Sequence, residues 1–171
     1  MKGGAATSAF EEAVMPHLNA AYNLARWLTR NDQDAEDVVQ EAYLRALRFF
    51  AGFRGGDGRG WLLAIVRHTC YDWLRQRGAP DSTTAFDEDA YVPDGGDTPE
   101  TLLLQQADRD MVRRAIEMLP AAWREVLVLR DLEGMSYREI AGVVGVPVGT
   151  VMSRLARARA RLQQHLAGQT G

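Results

Sequence analysis

Four side chains suited to binding nucleic acid recur at helical spacing near the end of the chain. Thr150, Arg154, Arg157 and Arg161 are spaced by four, three and four residues, which places them on one face of a helix. No acidic residue interrupts the segment 147–166. Because arginine holds phosphates and can donate two hydrogen bonds to guanine, this row predicts contact with DNA. The alternative is a solvated cationic helix face.

A partner helix and a tight turn precede this row. Ser136 can cap a first helix, and Glu139, three residues later, completes a capping box. Gly145 suits the turn, and Pro147 suits the first turn of the next helix. The second helix also carries an apolar stripe: Val151, Leu155, Ala158, Leu162 and Leu166. The segment therefore has the pattern of a helix-turn-helix whose second helix enters the major groove.

Composition predicts an all-α chain with two small helical domains. The 171 residues are 46% hydrophobic, and alternating apolar-polar runs are few. Net charge is −3, but residues 79–100 carry seven acidic residues and no Lys or Arg. We expect this segment to be an acidic flexible linker between an N-terminal domain, 8–78, and a C-terminal domain, 101–167.

Other classes of protein are disfavoured by what the sequence lacks. Cys70 is the only cysteine, so no internal disulfide can form. His68 lies two residues before Cys70, and this spacing puts the two on different helical faces, so no metal site is expected. No cofactor motif was found. No signal peptide and no run of 18 apolar residues is present. We expect a cytoplasmic chain without direct membrane insertion.

The N-terminal domain is predicted to contain three main helices. Pro16 should kink or divide the first, and Asn31 or Asp32 can cap the second. The segment 51–60 holds five glycines, and a third helix is predicted from near Trp61 to about residue 77. The loop glycines permit close approach to a ligand, although a mobile surface loop has the same composition.

Three segments together resemble the extracytoplasmic-function (ECF) group of bacterial sigma factors. DAEDVVQEAYLRAL (34–47) resembles the helix that grips core RNA polymerase. GWLLAIVRHTCYDWLRQR (60–77) resembles the helix that meets the minus-ten promoter element. LPAAWREVLVLRDLEGMSYREIAGVVGVPVGTVMSRLARARARL (119–162) resembles region 4, which reads the minus-35 element. The resemblance implies a region 2 bundle and a region 4 helix-turn-helix.

The resemblance also implies roles for individual residues. The surface that binds the beta-prime and beta subunits of the polymerase would comprise Asp34, Asp37, Gln40 and Glu41. The minus-ten contacts would come from Arg54, Arg59, Trp61, Arg67, His68, Tyr71 and Arg75. The minus-35 contacts would come from Tyr137, Arg138, Thr150, Ser153, Arg154, Arg157 and Arg161.

The function implied is binding rather than catalysis. The chain would join core polymerase, position it on promoter DNA to initiate transcription, and be controlled by an anti-sigma factor, while remaining a monomer when free. One alternative is an autonomous dimeric helix-turn-helix repressor, which predicts palindromic DNA binding without polymerase. Another is a helical enzyme using Asp34, Asp37 and Glu41, but the histidines and second carboxylate motif of helical di-metal sites are missing.

Overall fold

The computed structural model describes the backbone of residues 2–78 and 109–170, and the side chains of residues 8–78 and 109–168. The predicted linker, 79–100, lies outside these residues, as does the predicted start of the C-terminal domain at 101–108. The described residues are helical and contain no β-strand, which confirms the all-α prediction.

The N-terminal helices begin with a pair divided at a proline. Helix α1 spans Lys2–Val14, a 3₁₀ turn spans Met15–His17, and helix α2 spans Leu18–Thr29. Pro16 lies inside the 3₁₀ turn, which confirms the predicted division, because proline cannot donate a helical hydrogen bond. Helix α2 ends at Arg30, whose positive φ of 61° turns the chain toward the next helix.

The next two helices start at side-chain caps. Helix α3 spans Asp32–Phe49, and the Asn31 side chain accepts a hydrogen bond of 3.0 Å from the Asp34 N–H. A short 3₁₀ turn, Phe50–Gly52, follows. Helix α4 spans Gly58–Gln76 and is capped by Asp57, so it begins three residues before the predicted start near Trp61.

Helices α2, α3 and α4 pack against one another, and α1 lies on α4. Their shared core is apolar and includes Phe10, Leu24, Leu28, Leu62 and Leu63. Helix α1 contacts α4 closely at Gly58, where a Cβ atom would lie 2.4 Å from the Ala13 carbonyl oxygen. Glycine is therefore required at the start of α4.

The C-terminal helices form a second group. Helix α5 spans Arg109–Glu117, helix α6 spans Ala121–Leu127, helix α7 spans Tyr137–Val144 and helix α8 spans Val148–Thr170. A π-helical turn, Val128–Leu132, follows α6 directly. Helix α8 packs against α5, α6 and α7.

The helix-turn-helix signals predicted from the sequence are confirmed. The Ser136 hydroxyl accepts from the Glu139 N–H at 3.1 Å, and the Glu139 carboxylate accepts from the Ser136 N–H at 3.0 Å. Gly145 ends α7 with a φ of 74°. No single helix in the described ranges is long and apolar enough to cross a membrane. Only α7 and α8 together, bent by 99°, reach the required length and composition.

The two groups of helices are in contact. Helix α4 packs against α7, and α2 packs against α6. This arrangement places the predicted minus-ten helix, α4, against the first helix of the helix-turn-helix. The sequence carries no signal for this placement, since it depends on contacts between residues far apart in the chain.

Candidate functional site

The outer surface of α3 presents carboxylates to solvent. Asp37, Gln40 and Glu41 are exposed, whereas Asp34 is half-buried and accepts a hydrogen bond from Arg77 at 3.4 Å. Glu41 accepts from Arg45 at 3.3 Å. The four residues predicted to bind polymerase therefore lie along one helix, with three of them open to a partner.

Two apolar residues extend this surface. Leu44 is 54% exposed and Leu47 is 48% exposed, one and two turns beyond Gln40 on the same helix. Both fall outside the inward-facing apolar stripe of α3, and this position is the signal in the sequence that they are exposed. The two leucines give this helix face apolar surface that a partner could cover.

The first turns of α8 hold the predicted minus-35 residues. Thr150 and Ser153 are half-buried, and the Ser153 hydroxyl donates to the Thr150 carbonyl at 3.1 Å. Met152, between them, is 50% exposed. In the preceding helix, Arg138 is exposed and Tyr137 is half-buried, with the Arg130 guanidinium 4.6 Å from its ring centre.

The arginines in the row on α8 differ in their exposure to solvent. Arg154 is half-buried and Arg161 is exposed, with its guanidinium 5.1 Å from the ring centre of Trp123. Arg157 is only 7% exposed, although the helical spacing predicts a surface position for it. The covered side of α8 therefore extends beyond its apolar stripe.

An ion pair joins α8 to the π-helical turn that follows α6. The Arg159 guanidinium donates to both carboxylate oxygens of Asp131, at 2.7 and 3.3 Å. Asp131 lies in the π-helical turn after α6. This pair links the recognition helix to the turn that precedes the helix-turn-helix, and no local pattern in the sequence predicts it.

Aromatic contacts anchor the glycine-rich loop. The ring of Trp61 lies 5.0 Å from that of Phe53 and 6.1 Å from that of Phe50, and Phe50 in turn contacts Phe10 at 5.3 Å. Trp61 is thus part of a packed cluster at the edge of the core. Arg54, also predicted to contact DNA, is exposed in this loop.

The DNA-facing side predicted for α4 is partly covered by the C-terminal helices. Arg67 donates two hydrogen bonds to the carboxylate of Glu125, at 2.8 and 3.2 Å. Glu125 lies in α6 and has no exposed surface. The sequence does not predict this pairing, because a charged residue is expected at the surface and its partner Arg67 is 58 residues away.

A second arginine of α4, Arg59, also donates hydrogen bonds to the C-terminal helix group. Arg59 donates to the carboxylate of Glu139 at 3.1 Å and to the carbonyl oxygen of Glu133 at 3.3 Å. Glu133 also accepts from Asn23 at 3.4 Å. The same helix groups are joined at another point, where Arg26 lies 3.6 Å from the carboxylate of Glu117.

The electrostatics of this contact follow from burial. Burial raises the pKa of Glu125, even though Arg67 opposes that shift. Burial also works to lower the pKa of Arg67, but the charge and hydrogen bonds of Glu125 raise it. The carboxylate is fully buried, whereas the guanidinium keeps some exposure. The free-energy cost of removing the charged group from water is therefore larger for Glu125 than for Arg67.

Tyr71 lies beside this pair. Its ring is 4.6 Å from the Arg67 guanidinium, and its hydroxyl is buried. Burial and the negative charge of Glu125 raise the pKa of that hydroxyl. Tyr71 as a whole is half-buried, with Arg67 of the same helix over its ring.

The remaining candidates of α4 face solvent or the core. His68 is exposed, and Arg75 is exposed and bonded to Asp72. Cys70 is buried, and burial raises the pKa of its thiol. Within residues 2–78 and 109–170, no three His, Cys, Asp or Glu side chains come together in a group able to hold a metal ion.

Two family models match the chain in the order of the two helix groups. The sigma-70 region 2 model matches residues 13–79, and the sigma-70 region 4 model matches residues 109–162. The second match contains α5 to α7 and the first part of α8.

Curated relatives match over most of the chain. The ECF RNA polymerase sigma factor SigE of Mycolicibacterium smegmatis is 34% identical over 95% of this chain, which spans 63% of that protein's length. The RNA polymerase sigma-H factor of Pseudomonas aeruginosa is 36% identical over 92% of this chain and 86% of its own length. The ECF sigma-E factor of Escherichia coli is 40% identical over 74% of this chain and 70% of its own length.

Two solved structures are similar over both helix groups. The sigma factor RpoE of Bartonella quintana, in complex with the anti-sigma factor NepR, has a TM-score of 0.71 at 30% identity, covering 93% of this chain and 97% of that one. CnrH, in complex with the cytosolic domain of CnrY, has a TM-score of 0.67 at 27% identity, covering 97% and 94%. The chain described here therefore belongs to the ECF group of the sigma-70 family.

Proposed function

We propose that this chain initiates transcription by binding core RNA polymerase and directing it to promoters with minus-35 and minus-ten elements. The observation that carries the proposal is the presence of sigma-70 regions 2 and 4, in order, on one chain. The proposed domains are 8–78 for region 2 and 101–167 for region 4, joined by the acidic segment 79–100. The polymerase supplies the chemistry.

The proposed polymerase contact is the outer surface of α3. Its acidic half, formed by Asp37 and Glu41, suits basic residues on a beta-prime coiled coil and would set the register of docking. Its apolar half, formed by Leu44 and Leu47, would lose exposed surface on binding. The two halves together give the surface both specificity and affinity.

The proposed DNA contacts divide between the regions. Region 4 would read the minus-35 element with the start of α8, where Thr150, Ser153 and Arg154 lie. Region 2 would bind the melted minus-ten strand with the loop and the face of α4 that carries Arg59 and Arg67. Control by an anti-sigma factor is supported by the two similar solved structures, since RpoE was determined in complex with the anti-sigma factor NepR, and CnrH with the cytosolic domain of CnrY.

The test is a pull-down of the purified chain with bacterial core RNA polymerase. We expect stoichiometric binding, which Asp37→Arg and Glu41→Arg weaken because they place like charges against the basic partner. Glu12→Arg is the matched control, since it makes the same charge reversal at an exposed residue of α1, outside α3. Absence of binding by the unaltered chain, together with a stable dimer in solution, would favour the autonomous repressor instead.

A further inference from the structure

The start of the recognition helix α8 exposes an apolar surface. Among residues 147–153, the exposed ones are Pro147, Val148, Gly149 and Met152, and none of them carries a polar side chain. Met152 is 50% exposed and Val148 is 38% exposed. These two lie four residues apart, which places them one helical turn apart on the same side of α8. An apolar patch therefore stands where the geometry of a helix-turn-helix brings the edges of base pairs.

The polar side chains beside this patch are less available to a ligand. The Ser153 hydroxyl donates its proton to the Thr150 carbonyl oxygen at 3.1 Å, so it offers only lone pairs to a base. Arg154 is half-buried, and its charge acts on the buried carboxylate of Glu125. In the first two turns of α8, the most exposed side chain is therefore that of Met152.

The charge around the patch suits DNA as its occupant. No acidic residue stands between positions 147 and 166, so α8 carries no group there that repels a phosphate backbone. Arg138 in α7 and Arg161 in α8 are exposed and suit phosphate contacts, which position a protein on the duplex. In the major groove, the group that an apolar side chain recognises is the C5 methyl of thymine.

We propose that Met152 is a specificity-determining residue of the minus-35 contact, where its side chain packs against the C5 methyl group of a thymine. This inference rests on the proposed function of α8 as the helix that reads the minus-35 element. Val148 extends the same apolar surface by one turn. A flexible thioether adapts to the irregular floor of the groove, and the contact removes apolar surface from water. Cytosine and the purines lack the methyl group, so they leave this surface unfilled.

The test compares thymine with uracil, which lacks only the methyl group. Holoenzyme assembled from the full chain and core polymerase first selects promoter duplexes from a random library, and we expect thymine in the selected minus-35 element. Each thymine of that element is then replaced by uracil in turn, and binding is measured by mobility shift. One replacement should weaken binding of the unaltered chain by about fourfold, the effect of one buried methyl group.

Three variants assign this preference to one side chain. Met152→Ala removes the partner of the methyl group, so thymine and uracil duplexes should bind to within about twofold of each other. Met152→Leu keeps the apolar surface and should restore most of the preference. Met15→Ala is the matched control, because Met15 is 54% exposed in the 3₁₀ turn of region 2, and it should retain the full preference.

The outcomes separate this inference from the proposed function. Selected minus-35 elements without thymine, or an unchanged thymine preference in Met152→Ala, would overturn the role of Met152 while leaving an active holoenzyme. Failure of the unaltered chain to bind polymerase or to select any promoter would instead refute the proposed function. Thermal melts of the same samples check folding, and the Met152 variants should melt near the unaltered chain because the side chain is exposed.

Discussion

The guanidinium of Arg67 in α4 and the carboxylate of Glu125 in α6, 58 residues apart in sequence, form a two-bond ion pair. Arg67 belongs to region 2 and Glu125 to region 4. Glu125 has no exposed surface, so separation of the regions must rehydrate it. The pair therefore couples the packing of the two regions to the availability of Arg67.

The strength of this coupling can be measured with a double-mutant cycle. Arg67→Ala leaves Glu125 buried without its guanidinium, and we expect a loss of roughly 3 kcal/mol in the free energy of unfolding. Glu125→Gln should cost less, and the two changes together should show a coupling of about 0.5–3 kcal/mol. Urea denaturation followed by circular dichroism gives all four values. Strictly additive losses would show that the two side chains do not interact.

A contrast between two arginines of α8 tests the minus-35 surface. Arg154→Ala should weaken binding to a selected promoter duplex by about 1–3 kcal/mol, with a smaller loss of stability that reflects its charge interaction with buried Glu125. Arg157→Ala should instead lower the melting temperature, because Arg157 is only 7% exposed. Mobility shifts and thermal melts separate the two effects. The reverse pattern would move the DNA contact to the side of α8 that carries Arg157.

The close contact between α1 and α4 gives a prediction for two glycines. Gly58→Ala places a methyl group against the backbone of Ala13, and we expect a loss of roughly 1–3 kcal/mol. Gly52→Ala meets no atom within 4 Å and needs no positive φ, so its effect should stay within about 0.5 kcal/mol. Chemical denaturation compares the pair. Equal effects would place α1 elsewhere in solution.

Lowering the pH should weaken the contribution of Glu139 to the free energy of unfolding. Hydrogen bonds from Ser136, and then from Arg59, lower the pKa of this carboxyl below its ordinary value of 4.5. A lowered folded-state pKa gives stability that is present above 4.5 and lost as the pH falls through the folded value. The advantage of the unaltered chain over Glu139→Ala should therefore shrink in acid. Urea melts at several pH values between about 3 and 7 test this expectation.

The contribution of Glu125 to the free energy of unfolding should depend on pH in the opposite direction. Burial raises its pKa above 4.5, so its contribution is fully present below 4.5 and is lost as the pH rises through the folded value. Glu125→Gln should therefore become less destabilising, relative to the unaltered chain, as the pH rises through that value. The same series of urea melts measures it, and a parallel change for both variants would contradict the burial of Glu125.

Local signals in the sequence predict the elements well. Pro16 divides the first helix, Asn31 caps α3, and Ser136 with Glu139 caps α7. Each of these features depends on residues within four positions of one another. Gly145, which ends α7 with a positive φ, is of the same kind. Such features require no knowledge of the tertiary structure.

The structural features that the sequence does not predict are those that depend on contacts between residues far apart in the chain. Glu125 has the polarity of a surface residue but is fully buried and bonded to Arg67 of region 2, and Arg157 is buried although its helical spacing predicts a surface position.

The enclosed thiol of Cys70 has a practical consequence for spectroscopy. It is the chain's only cysteine, and burial suppresses the thiolate that reacts with maleimide dyes. Cysteines introduced at exposed Glu11 and Gln163 could therefore carry a donor and an acceptor dye without first replacing the native residue. The distance between regions 2 and 4 then becomes directly observable in single molecules as polymerase or DNA is added.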